Sequence, residues 1–71
     1  MTKEQIIKNL VAQHEGTRWD ADTLRSSVAQ DLNNDYMDEL MELVNDDHIE
    51  RENLSAEIES EVVDRLEEME E

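Results

Sequence analysis

The residues of this chain that could take part in chemistry are mostly carboxylates. Twenty-one Asp and Glu stand against six Lys and Arg, which gives a formal net charge of −15 over 71 residues. Residues 1–30 carry four bases and four acids, so the whole net charge falls in residues 31–71, where seventeen acids meet two arginines. A segment with so large an excess of negative charge repels nucleic acid and anionic lipid and attracts basic protein surfaces. The expected partner is therefore a basic protein, with no direct contact to nucleic acid or membrane.

Helical spacing gathers many of these acids into two stripes. The central acidic stripe consists of Asp35, Asp38, Glu39, Glu42 and Asp46. The C-terminal acidic stripe consists of Glu57, Glu61, Asp64, Glu68 and Glu71. Guanidinium groups pair with carboxylates in the same bidentate geometry that they use with phosphates. Two such stripes lying side by side would approach the charge spacing of duplex DNA, about 1.7 Å per charge.

An alternative interpretation of the acids is a solvated face that keeps a small protein soluble. Like charges at i,i+3 and i,i+4 destabilise a helix, however, and the chain has few bases to relieve them. The pattern therefore favours a functional role for the acids.

Other chemistries find weaker support. Asp31 to Glu42 places oxygen-bearing side chains at positions 1, 3, 5, 9 and 12 of an EF-hand loop, but Tyr36 occupies the position that needs glycine. His14 and His48 belong to no metal-ligand motif, and we expect surface or helix-end histidines. The Ser26-Ser27 pair lacks a nucleophile context. The sequence predicts no catalytic residue, no metal site and no cofactor, and hence a protein that is not an enzyme.

Trp19 is the one tryptophan of the chain, and it precedes Asp20 in a connector. Such a residue is either the main plug of a thin core or an exposed binding anchor, and the core plug is the simpler prediction. Met37 and Met41 allow the same two interpretations. With Tyr36 and Leu40 they form an adaptable docking surface or, more simply, all four pack inward against the other helices.

The elements that must position these residues are helices. Proline is absent, there is one glycine, and helix-favouring residues abound. Thr2 and Gln5 match a capping box, and Gly16 supplies a stop, which together predict a first helix over about 3–15. Its apolar spacing comprises Ile6, Ile7, Leu10, Val11 and His14.

A second helix is expected to start at Asp20 or Asp22 and to turn Leu24, Val28 and Leu32 inward. A break or kink at 33–35, with Asp35 capping a third helix, is favoured over one continuous helix to Asn45. Residues 45–48 are predicted to form a loop, and Asn53 or Ser55 to cap a last helix. The narrow apolar seam of that helix predicts packing on one neighbour, and its terminal glutamates predict a frayed last turn. The seam comprises Leu54, Ile58, Val62, Leu66 and Met69.

These patterns predict an all-α fold: a small bundle of three or four short helices with an acidic C-terminal half, formed by residues 1–71 as a single domain. A chain this short often gains stability by oligomerising, so a homodimer is possible. The absence of cysteine and of an apolar run long enough for a signal peptide fits a cytoplasmic protein.

The leading functional hypothesis is a small acidic inhibitor or decoy that binds the basic nucleic-acid-binding surface of a partner, in the style of a DNA mimic. In character the chain is similar to small acidic helical antagonists of host defence from phages and mobile elements, without a shared motif. The alternative is an assembly factor or regulatory subunit that docks through an apolar surface of Trp19 and methionines. The predicted partner-binding residues are Asp38, Glu39, Glu42, Asp46, Glu57, Glu61, Asp64, Glu68 and Trp19.

Overall fold

Residues 2–69, which a computed structural model describes, form four α-helices and no strand. Helix α1 spans Lys3–His14, α2 spans Ala21–Asp35, α3 spans Met37–Asp47 and α4 spans Arg51–Met69. The prediction of a small all-α bundle is confirmed. Glu70 and Glu71, on which the predicted fraying partly rests, lie outside the described residues.

The local signals at the first two helix starts act as expected. The Thr2 side chain accepts a hydrogen bond from the Gln5 amide at 3.2 Å, and the Gln5 side chain accepts one from the Thr2 amide at 3.1 Å. Gly16 follows the end of α1 with φ of +85°, a conformation that glycine adopts without strain. Asp20 caps α2 by accepting from the Thr23 amide at 2.9 Å, and its hydrogen bonds with Thr23 lower the pKa of its carboxyl.

The helical conformation is interrupted between α2 and α3 at Tyr36, one residue beyond the predicted break at 33–35. Tyr36 leaves the helical region with φ of −120° and ψ of 17°. Its amide still donates to the Leu32 carbonyl at 3.2 Å, and its carbonyl accepts from the Leu40 amide at 2.9 Å. The predicted cap at Asp35 is wrong, because Asp35 is the last residue of α2 and no side chain caps α3.

Two boundaries near α4 differ from the prediction. Residues 45–47 belong to α3, which ends at Asp47, and His48 follows as the C-cap in a left-handed conformation with φ of 54°. Their polarity marks a solvent face, since Val44 and Ile49 on either side pack against the core. Helix α4 then begins at Arg51, before the predicted caps Asn53 and Ser55.

The first residue of α4 is joined to α2 by a hydrogen bond. The Arg51 guanidinium donates to the Asn33 side-chain oxygen at 2.6 Å and ties the first residue of α4 to the end of α2. The Glu50 carbonyl also accepts from the Leu54 amide at 3.0 Å.

Helix α4 is the centre of the bundle. It packs against α1, α2 and α3, so the prediction that its apolar seam serves one neighbour is wrong. Val63 widens the predicted seam and is 3% exposed, while Met69 is 51% exposed. Every helix contributes to one core. Its buried members are Ile6, Ile7, Leu10, Leu24, Val28, Leu32, Leu40, Leu54, Ile58, Val62, Val63 and Leu66.

The methionines of α3 do not join this core. Met37 and Met41 are 43% and 45% exposed, contrary to the prediction that they pack inward. Helix α3 instead turns Leu40 fully inward, with Leu43 and Val44 partly buried beside it. Within the described residues, no helix is long and apolar enough to cross a membrane.

Candidate acidic interface

The central acidic stripe lies on the outer side of α3. Asp38, Glu39, Glu42 and Asp46 all belong to this helix, and Asp35 ends α2 just before it. At 100° per residue these four fall within a sector of about 100° that faces away from the buried Leu40. Asp35, Asp38, Glu42 and Asp46 are exposed, and Glu39 is half-buried. The predicted geometry of the stripe is therefore present on α3.

Among residues 2–69, no Lys or Arg forms an ion pair with this stripe. Residues 35–50 contain seven acids and no Lys or Arg. The nearest arginine along the chain, Arg51, binds the amide oxygen of Asn33. The outer side of α3 is thus a field of one sign.

The C-terminal acidic stripe has a different environment, because it borders α1. The Lys3 ammonium lies 2.7 Å from a Glu57 carboxylate oxygen, and the Arg65 guanidinium lies 3.0 Å from Glu61. Arg65 also reaches Glu4 on α1 at 2.9 Å. Two predicted partner-binding residues of α4 are therefore already paired within the fold.

The hydrogen bond to Glu4, and secondly the one to Glu61, raise the pKa of Arg65, so this guanidinium stays charged between two carboxylates. Asp64 and Glu68 remain exposed on α4, and neither takes part in an ion pair among residues 2–69. The α4 surface thus combines both signs of charge.

The spacing of charge on α3 resembles that of one nucleic-acid strand. Asp38 to Asp46 spans about 12 Å at 1.5 Å per residue and carries four acids, or about one per 4 Å. One strand of duplex DNA carries a phosphate about every 3.4 Å. On α4, Glu57 and Glu61 are paired with bases, so the two stripes together do not match the charge of both DNA strands. The comparison of charge spacing therefore holds for α3 alone.

Trp19 lies at the other end of α2, in the connector after α1. It is 44% exposed, so the prediction of a core plug is wrong. Its ring stands 5.8 Å from the His14 ring at an interplanar angle of 54°. A straight α2 of 15 residues separates this connector from the start of α3 by about 22 Å. Trp19 and the α3 methionines therefore do not form one continuous surface.

His14, the last residue of α1, makes a buried polar contact with Asp31 that the sequence did not predict. His14 is 5% exposed, and its Nε2 lies 2.8 Å from the Asp31 Oδ2 on α2. His14 continues the apolar spacing of α1, and that position was the available signal for its burial. Nearby, the Thr17 hydroxyl donates to the His14 carbonyl at 2.9 Å. The arrangement ties α1 to α2 and presents no activated nucleophile.

The segment with EF-hand spacing forms helix. Residues 31–35 lie in α2 and residues 37–42 in α3, so no loop gathers their oxygens around one point. Among residues 2–69, no group of three or more His, Asp or Glu side chains is placed to hold a metal ion.

Comparisons with known proteins give no relative from which to transfer a role. No known protein family, curated protein or solved structure matches the chain.

Proposed function

We propose that this chain is a small acidic binding protein that occupies the basic nucleic-acid-binding surface of a partner protein and competes there with nucleic acid. The contact is the central acidic stripe on α3. The observation that carries the proposal is that the stripe has one charge sign and no ion-pair partner among residues 2–69. Lysines and arginines that bind phosphates would find carboxylates at similar spacing on α3.

The contrast within the fold supports a role beyond solubility. Along the contact of α1 with α4, the chain pairs Glu57 with Lys3 and places Arg65 between Glu4 and Glu61. A surface of mixed sign keeps a protein soluble equally well. On α3 the acids instead repel one another at i,i+3 and i,i+4, which destabilises the helix. A basic partner would offset that repulsion.

The exposure of Trp19 favours a second candidate function. A tryptophan that is 44% exposed beside a buried histidine has the character of a binding anchor. In this alternative the chain is an assembly factor or regulatory subunit that docks through the connector. The acids would then serve solubility.

One experiment separates the two candidates. The immobilised chain is incubated with an extract of the native host at low salt, and the captured protein is eluted with a salt gradient. It is then tested for nucleic-acid binding and for displacement of a labelled duplex by the free chain. The proposal expects elution at moderate salt, because salt screens exposed charges, and displacement of the duplex.

Trp19→Ala is the matched variant for the second candidate. It leaves capture unchanged if α3 is the contact and abolishes it if the connector is. A captured protein that keeps its nucleic acid while the chain is bound would contradict competition.

A further inference from the structure

The α3 surface carries an exposed apolar ridge beside its acids. Met37 and Met41 are 43% and 45% exposed and lie one turn apart, on either side of the fully buried Leu40 in sequence. Residues at i and i+4 are neighbours on a helix surface, so the two thioether side chains are adjacent. The fold therefore leaves unpartnered an apolar strip of α3 that its own core does not cover.

This ridge borders the central acidic stripe. At 100° per residue, Met37 and Met41 lie about 60° and 100° around α3 from Leu40, and Asp38 and Glu42 follow at about 160° and 200°. A ligand lying along α3 would meet methionine on one flank and carboxylate on the other. An extended array of phosphate-binding lysines would use only the second flank.

We infer that the occupant of this face is a basic amphipathic helix of the partner, whose apolar side chains cover Met37 and Met41 and whose Lys or Arg side chains meet Asp38 and Glu42. The inference rests on the proposed function and specifies the partner's chemistry. Charge complementarity selects this occupant, because a second copy of the chain would bring another net charge of −15 against the same face. Methionine suits the role, because its unbranched side chain adapts to different apolar shapes.

Covering the apolar ridge should give a measurable gain in binding affinity. Burying a fully exposed methionine corresponds to roughly 10- to 160-fold in affinity. Met37 and Met41 are 43% and 45% exposed, so covering what remains of both corresponds to roughly 10- to 90-fold.

The test uses two synthetic helical peptides of about 15 residues and equal positive charge, a length at which isolated helices begin to be stable. One carries a leucine stripe, and the other carries glutamine at the same positions. Titration of each into the full chain is expected to show the leucine peptide binding at least tenfold more tightly. Met37→Gln with Met41→Gln should remove that preference and leave glutamine-peptide binding unchanged. Met69→Gln is the control, because Met69 is 51% exposed, slightly more than the α3 methionines, but lies at the end of α4.

Different outcomes overturn different statements. Equal, salt-sensitive binding of both peptides, or a leucine preference that survives the double methionine variant, overturns this inference and leaves the proposed function standing. Binding of neither peptide overturns the proposed function as well. If sedimentation shows that the native chain is a dimer and the double methionine variant is a monomer, the ridge is an interface with a second copy. That result also overturns the inference.

Discussion

Replacing Glu42 with glutamine should stabilise the fold, although the change removes no steric conflict and fills no cavity. Glu42 is exposed on α3 and has three like-charged neighbours on the same helix. Asp38 precedes it by four residues, Glu39 precedes it by three, and Asp46 follows it by four. Glutamine has nearly the same helix propensity as glutamate, so the main change is the loss of three repulsive pairs.

The magnitude follows from the number of pairs. A like-charge pair at i,i+3 or i,i+4 destabilises a helix by about 0.2–0.5 kcal/mol. Three pairs correspond to about 0.6–1.5 kcal/mol at low ionic strength. A chain of 71 residues is expected to have a free energy of unfolding of about 4–11 kcal/mol, so this gain is a measurable fraction of the total.

Urea unfolding followed by circular dichroism measures the effect at low salt and again in about 1 M salt. At the higher concentration the Debye length is about 3 Å, shorter than the separation of the charges, so the advantage of Glu42→Gln should largely vanish. The matched control is Glu4→Gln, which removes a carboxylate that lies 2.9 Å from Arg65. The control should be destabilised by up to about 1 kcal/mol.

Loss of stability in Glu42→Gln at low salt would refute the reasoning, and so would a gain that persists unchanged in 1 M salt. Either result would mean that the carboxylates of α3 do not repel one another as their spacing implies. The same substitution should weaken binding to a basic partner, so stability and affinity should change in opposite directions.

Three further predictions concern the fold itself. Ile58→Ala opens a cavity at a fully buried position of α4 and should lower the free energy of unfolding by about 2–5 kcal/mol, whereas Met69→Ala should change it by less than about 0.5 kcal/mol in the same urea titration. His48→Gly relieves a left-handed conformation with φ of 54° and should raise the melting temperature, with a gain of about 0.5–1 kcal/mol; a lower melting temperature would contradict the boundary of α3. Burial raises the pKa of Glu59 above its ordinary value of 4.5 against the opposing charge of Arg25, so its folded carboxyl binds a proton more tightly than its unfolded one. The contribution of Glu59 to stability is therefore present below pH 4.5 and lost as the pH rises through the raised pKa. Glu59→Gln should stabilise the fold at pH 7 but not at pH 4. Equal effects of the substitution at both pH values would contradict this sign.

The parts of the fold that local patterns determine could be predicted from the sequence. The reciprocal hydrogen bonds of Thr2 and Gln5, the cap at Asp20 and the inward spacing of Leu24, Val28 and Leu32 are all as expected. Each depends on residues within one or two helical turns. The break at Tyr36 was predicted to within one residue for the same reason.

Features decided by contacts between helices could not be predicted in the same way. Arg51, the first residue of α4, donates to Asn33, eighteen residues earlier in the chain. His14 on α1 is buried and contacts Asp31 on α2, and Trp19 remains exposed at the connector. None of these partners is visible in the local pattern.

The same distinction between local patterns and contacts between helices applies to the candidate site. The spacing of acids on α3 was visible in the sequence, because a helix places i, i+3 and i+4 on one face. The pairing of Glu57 with Lys3 was not visible, because it depends on how α1 packs against α4. The packing of α3 likewise decided that Met37 and Met41 face solvent.

Two variants of equal net charge test the assignment of the interface to α3. One replaces the four stripe acids of α3 through Asp38→Asn, Glu39→Gln, Glu42→Gln and Asp46→Asn. The other replaces four acids of α4 through Glu57→Gln, Glu61→Gln, Asp64→Asn and Glu68→Gln. Each removes four acids from a chain of net charge −15 and leaves −11.

The measurement is the concentration of each variant that displaces a labelled duplex from the captured basic protein. We expect the α3 variant to lose competition by about 100-fold or more, because truncating charge contacts commonly weakens binding by several kcal/mol, and the α4 variant to stay close to the native chain. Equal losses in the two variants would show that only net charge matters, and would contradict the assignment of the interface to α3.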